Sequence, residues 1–218
     1  MNKKLLFLLP LICLVACTSK GQEHSHNGEP LNPSSDGTPS SSDSSEQETY
    51  QSKTVVFKGA SDRIGLTKGS QIGTEAFTTA VTALFNSDSE GFLTSIEGAS
   101  CAFQNVDVSN GPITSLTVGT GKYAGNIKFN FSKQIVKLDF TIQAYHSFND
   151  YQNQYNMDTD AEVTIEGTKY DLSLTSTDNP PEEKVEHLTL TTPKNNIQFS
   201  NEAGGHRVYI HSVTFYYE

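Results

Sequence analysis

NIKFNFSKQIVKLDFTIQAY, Asn126 to Tyr145, decides how this chain folds. Ile127, Phe129 and Phe131 fall on one side of the run, with Asn126, Lys128 and Asn130 on the other. Further along, Val136, Leu138, Phe140, Ile142 and Ala144 alternate with Lys137, Asp139, Thr141 and Gln143. A period of two marks strands that bury one face and wet the other. The polar step Ser132-Lys133-Gln134 reads as a tight connection and predicts an antiparallel hairpin over Asn126–Phe131 and Val136–Tyr145.

The same period extends in both directions. Strands are expected over Thr54–Lys58, Phe92–Glu97, Ser100–Val106, Ile113–Val118, Glu162–Ile165, Lys169–Leu174, Val185–Thr191 and Asn196–Ser200. Glu166-Gly167 supplies a hairpin turn. In the last strand, RVYIHSVTFYY, Val208 and Ile210 have one parity and Val213 and Phe215 the other, so a one-residue bulge near His211 and Ser212 is needed to keep a single buried face. One segment breaks the rhythm. Phe77, Val81, Leu84 and Phe85 are spaced for a helix face over Thr74–Phe85, and Thr74 suits its N-cap. Many short antiparallel strands, one short helix and no alternation of strand with helix predict a mainly β fold, a two-sheet antiparallel β-sandwich of jelly-roll type.

The N-terminus has a different composition. Lys3 and Lys4 precede an apolar run, Leu5 to Ala16, that is too short for a spanning helix, which needs roughly 20 residues. Leu14-Val15-Ala16-Cys17 resembles the lipobox of bacterial lipoproteins. That resemblance implies cleavage of residues 1–16 and acylation of the Cys17 sulfur; two acyl chains, at about 0.8 kcal/mol per buried CH₂, hold a protein on a membrane. Residues 17–49, rich in Ser, Gly, Pro, Asn, Asp and Glu, cannot bury enough apolar surface to order themselves and predict a disordered tether. Residues 50–218 are one domain's length, long enough for a core. The expected location is the cell membrane, lipid-anchored, with the domain facing outward.

The formal net charge is −10, and losing Lys3 and Lys4 with the signal leaves −12. Phosphate backbones bind through Lys and Arg that displace counterions, so nucleic acid is excluded as a default partner. With Cys13 removed and Cys17 acylated, Cys101 has no partner for an intramolecular disulfide and reads as a small buried hydrophobe.

From Ile113 onward, the succession SLTVGTGKYAGNIKFNFSKQIVKLDFTIQAY, AEVTIEGTKYDLSL and IQFSNEAGGHRVYIHSVTFYY resembles β-sandwich domains at the ends of exported bacterial proteins, which are similar to galactose-binding-like carbohydrate modules. The resemblance implies a sandwich and, by analogy, a glycan partner.

Catalytic and cofactor patterns fail on context. Gly119-Thr120-Gly121-Lys122-Tyr123-Ala124 matches a dinucleotide fingerprint in letters, but a strand follows where a helix N-terminus is required, so the segment reads as a flexible turn. Asp158-Thr159-Asp160-Ala161-Glu162 begins like a helix-flanked calcium loop, yet Val163 and Lys169 stand where it needs Gly and Glu. No HExxH or G-x-S-x-G occurs. The expectation is a non-catalytic protein without metal or cofactor.

HSFNDYQNQYNMDTD, His146 to Asp160, is the richest binding chemistry along the chain. His146, Phe148, Asp150, Tyr151 and Tyr155 are the candidate ligand residues, since sugar rings stack on aromatic faces while amides and carboxylates take their hydroxyls. The same composition serves a connection that buries an aromatic to pin itself, and both readings stay open. The partner is a glycan or, alternatively, an envelope protein.

Overall fold

The run that opens at Asn126 is one strand of 19 residues, Asn126–Ala144, and not a hairpin. Its inward side chains are odd-numbered through Ile127, Phe129, Phe131 and Ile135, then even-numbered from Val136 through Leu138, Phe140, Ile142 and Ala144. Both neighbouring strands shift register beside this change of parity. The strand therefore bends and passes from one layer of the fold to the other with its apolar side still inward. Lys184–Ser200 is likewise a single strand where two were expected, with register shifts between Thr189 and Asn196.

The computed structural model describes residues 49–88, 91–106, 113–149, 154–175 and 179–218. Cys17 and the segments expected to be a signal and a tether, up to residue 48, lie outside the described residues, as do Asp150 and Tyr151. The described part falls within the unit Gln47–Glu218. In chain order its elements are β1 (Gln51–Val56), α1 (Ala60–Arg63), α2 (Glu75–Phe85), β2 (Leu93–Ala99), β3 (Cys101–Val106), β4 (Ile113–Val118), β5 (Asn126–Ala144), β6 (His146–Asn149), β7 (Gln154–Met157), β8 (Glu162–Ile165), β9 (Thr168–Asp171), β10 (Lys184–Ser200) and β11 (Val208–Tyr217).

Nine strands form one antiparallel sheet in the order β3-β4-β11-β5-β10-β8-β9, with β1 beside β11 and β2 beside β5; β6 and β7 pair separately. One layer holds β1, β3, β4 and β11 with the C-terminal half of β5 and the N-terminal half of β10. The other holds β2, β8 and β9 with the remaining halves. Their inner faces meet: Phe131 lies 4.8 Å from Phe215, and Phe140 meets Phe199 edge-on at 6.4 Å. The antiparallel β-sandwich is borne out, and because its layers share β5 and β10 they belong to one hydrogen-bonded sheet.

Helix α2 forms where its spacing predicts. Thr74 Oγ1 accepts from the Phe77 amide at 3.3 Å, and Phe77, Val81 and Phe85 are buried. Phe85 reaches Phe129 at 5.0 Å, Phe215 at 5.7 Å and Phe57 at 6.0 Å, which closes one side of the core. α1 is a further single turn. The turn between β8 and β9 carries positive φ at Glu166 (49°) and Gly167 (86°), the backbone a two-residue hairpin loop requires. The bulge in β11 falls at His211: Ile210 pairs Ile142 and Ser212 pairs Thr141. Cys101 is buried as expected, its Sγ donating to Asn126 O at 3.2 Å.

Phe129 touches Phe57, Phe85 and Phe199 and is fully buried. Phe129→Ala is expected to destabilise the domain by about 3–5 kcal/mol, read as a lower urea midpoint at unchanged m-value.

Candidate functional site

Because Leu116, Val118, Val208, Ile210, Ile142 and Ala144 turn into the core, the alternate residues of β4, β11 and β5 turn to the outer face of the same layer. Register aligns Ala102, Thr117, Tyr209 and Gln143 in one row across β3, β4, β11 and β5. An outer face of this kind is normally wet, but Ser115, Thr117, Tyr209, Gln143 and His211 are all buried. The β6–β7 hairpin and residues 181–183 cover part of it. Tyr209 Oη donates to His146 O at 3.0 Å, and Gln143 Nε2 donates to Pro181 O at 2.6 Å.

Where the cover ends, a groove of about 510 Å³ opens over the row. Ala102 and Thr117 lie along it; Gln71, Gln104, Tyr145 and Arg207 line its sides, and the turn from Gly119 to Tyr123 forms its lip. Tyr123 is 57% exposed, and Lys122 Nζ lies 5.2 Å from the centroid of its ring. The lip is not the flexible turn expected from its glycines. Thr120 Oγ1 accepts from the amide of Tyr123 at 2.9 Å, and Asn201 clamps the base of the turn, accepting from Gly125 N at 2.7 Å and donating to Val118 O at 3.0 Å. A Cβ on Gly119 would strike the Asn201 side chain, which explains the glycine there.

The walls are locked by charge and stacking. Arg207 donates from Nε to Asp158 Oδ2 at 2.7 Å and from Nη2 to Oδ1 at 2.8 Å, while its backbone N–H also reaches Oδ2. Burial opposes charge on Arg207, but the bonds to Asp158 outweigh it and raise the guanidinium pKa. The guanidinium sits 3.6 Å from the Tyr145 ring centroid; Tyr145 stacks on Tyr209 at 5.2 Å, and Tyr209 on His211 at 5.9 Å. This four-membered column runs from the groove to the covered part of the face.

His211 ends the column in a hydrogen-bonded chain. The Gln143 amide donates to Pro181 O, which turns its Oε1 toward His211 Nε2 at 2.9 Å and requires a proton on Nε2. Ser115 Oγ lies 3.0 Å from Nδ1 and 2.7 Å from Ile210 O, with one proton for the two. It gives that proton to Nδ1 when the imidazole is neutral, and to the carbonyl when the ring is charged. Burial pushes His211 down to about 4, although Glu183, 3.9 Å away and paired with Lys58, pulls the other way.

Of the residues singled out between His146 and Asp160, His146 and Tyr155 do not line the groove. His146 is buried, with Nδ1 3.3 Å from Ala144 O and its ring 5.8 Å from Tyr209 and 6.0 Å from Tyr155. It packs beneath the hairpin. Phe148 pairs with Tyr155 across β6 and β7. Asp150 and Tyr151 lie outside the described residues. The acids of the calcium-like stretch have cationic partners, Asp158 with Arg207 and Glu162 with Lys169. Among the described residues, no three His, Cys, Asp or Glu side chains converge on one point. Burial pushes the Cys101 thiol up to about 12, against amide bonds from Gly119 and Asn126 that pull it down, so it is not a nucleophile at neutral pH. Sequence reasoning missed Thr117, Tyr123, Tyr145 and Arg207. One signal was present: large side chains at the outward positions of RVYIHSV imply that the second face of the strand is covered too.

No family model matches the chain, and no curated protein matches it. Among solved structures it is similar to a mutant of a family 29 carbohydrate binding module, with TM-score 0.34, 12% identity and coverage of 76% of this chain and 91% of that one. A second mutant gives TM-score 0.34, 16% identity and coverage of 76% and 92%. A third, described as complexed with cellulohexaose, gives 0.34, 15%, 76% and 91%. Likenesses this loose assign no role to any residue here.

The neutral imidazole of His211 is the folded form at pH 7. An unfolded histidine titrates near 6.5, so as pH falls the unfolded chain takes the proton first. His211's contribution is complete above pH 6.5, is lost between 6.5 and about 4, and is flat below that. At about 1.4 kcal/mol per pH unit the loss is about 3 kcal/mol. Urea denaturation across this window measures it, and His211→Gln is expected to flatten the slope there; an unchanged slope would place the proton elsewhere.

Proposed function

We propose that this is a non-catalytic, lipid-anchored protein of the cell surface whose sandwich domain binds carbohydrate in the groove between Tyr123, Tyr145 and Arg207. The observation that carries the reading is the groove itself. Its volume suits a ligand of a few sugar rings, since small-molecule sites run from about 300 to 1,000 Å³. An exposed tyrosine ring stands at its lip, beside two carboxamides and the hydroxyls of Ser100, Thr117 and Thr120. A sugar presents apolar C–H faces and a rim of hydroxyls, and needs both kinds of surface close together. The Asn201 clamp and the Arg207 stack fix that surface before a ligand arrives, which reduces the ordering cost of binding.

The anchoring half of the proposal rests on the sequence. Cys17 after Leu14-Val15-Ala16 is the lipidation site, and the polar stretch that follows leaves the domain free to reach glycans. The high pKa of Cys101 and the pairing of Asp158 with Arg207 beside the groove support a binding role over catalysis.

Calorimetry against a panel of oligosaccharides tests the first half: Tyr123→Ala is expected to weaken binding about tenfold or more while leaving the unfolding midpoint nearly unchanged. A wild-type protein that binds no saccharide overturns the reading. For the anchor, Cys17→Ser is expected to move the protein from the membrane to the soluble fraction, and mass spectrometry of the wild type to find acyl chains on Cys17.

A further inference from the structure

Two features of the groove narrow the ligand. The first is charge. Arg207 is the one charged residue on its lining among the described residues, and the Nε–Nη2 edge of its guanidinium is spent on the buried Asp158. The pair is neutral overall, and Arg207 acts as a strut against Tyr145. A carboxylated or sulfated ligand would give up its hydration mainly to amides and hydroxyls, with the nearest unpaired cation among the described residues on the lip, where Lys122 Nζ lies 5.2 Å from the Tyr123 ring, and would approach a domain of net negative charge.

The second feature is an unsatisfied hydroxyl. Thr117 is 1% exposed and lies along the groove, and its Oγ1 makes no hydrogen bond among the described residues. A buried hydroxyl without a partner costs stability, and valine would fill the same volume without that cost. Opposite Thr117 on β3 stands Ala102, half-buried, whose small side chain leaves space on that side of the row. Gln104 follows two residues along on the same face, and no hydrogen bond ties its carboxamide within the described residues.

We infer that the groove takes an uncharged saccharide, and that Thr117 is its specificity-determining residue, holding a hydroxyl in reserve for a ligand hydroxyl that passes over Ala102. This rests on the carbohydrate reading and deepens it. Thr117 touches the ligand; Arg207 acts through Tyr145 as a positioning residue.

The experiment measures the affinity of the full domain for neutral gluco-, manno-, galacto- and xylo-oligosaccharides and for oligogalacturonides, at low and high salt, with wild type and Thr117→Val. Expected are binding of at least one neutral series, an affinity that does not change with salt, and no binding of the uronates. Thr117→Val is expected to weaken that binding about tenfold while its melting temperature stays level or rises, since it removes a hydroxyl that had no partner. Opposite movement of affinity and stability is a signature that a merely structural threonine would not give. Salt-sensitive binding of the uronates would overturn the inference and leave carbohydrate binding standing. So would a Thr117→Val protein with wild-type affinity, or one whose melting temperature falls. Failure of the wild type to bind any sugar, neutral or acidic, overturns both readings.

Discussion

Which side chains face inward is set here by two one-residue shifts, and everything else follows from them. A strand has two faces and a strict alternation, so inserting one residue exchanges the faces downstream. In β5 the exchange lies between Ile135 and Val136; in β11 it lies at His211. The first lets a single strand supply Phe129 and Phe131 to one layer and Leu138, Phe140 and Ile142 to the other. The two layers are thereby tied through backbone hydrogen bonds as well as by the phenylalanine cluster between them.

The second shift makes the site. Without it, Arg207, Tyr209 and His211 would share a face with Val213 and Phe215, and the core would have to bury a guanidinium and an imidazole. With it, the odd-numbered residues before the bulge turn outward and those after it turn inward. The outward set meets Ser115 and Thr117 of β4, Gln143 of β5 and Tyr145 just beyond it, whose backbone N–H donates to Arg207 O. Fold and groove are two consequences of one change of register.

The sequence made much of this legible. The two-residue period, the bulge in RVYIHSV, the Thr74 cap and the Glu166-Gly167 turn all rest on local chemistry. The hairpin assigned at Ser132-Lys133-Gln134 did not hold, because an exposed polar triplet looks the same at a bend as at a turn. Of the residues a tight turn selects, that triplet has only Ser132, and no Gly, Asn, Asp or Pro. The groove was hidden for a different reason. Gln71, Ala102, Thr117, Tyr123, Tyr145 and Arg207 come from separate segments, and only the pairing order of β3, β4, β11 and β5 brings them together. The stretch His146 to Asp160 stands out in the sequence because Phe148, Tyr151 and Tyr155 lie within eight residues, whereas the groove gathers its aromatics through space.

The column of Arg207, Tyr145, Tyr209 and His211 explains why this face is rigid enough to hold a shaped site. Each ring or guanidinium is in contact with the next, and both ends are fixed: Arg207 by Asp158 and the backbone, His211 by Ser115 and Gln143. Displacing Tyr145 sideways would cost the cation–π contact on one side and the stack on the other, so the wall of the groove resists a ligand's approach as a unit. Such a wall gives little induced fit. Along it the buried hydroxyl of Thr117 has no partner among the described residues, and that missing partner already costs the free protein stability.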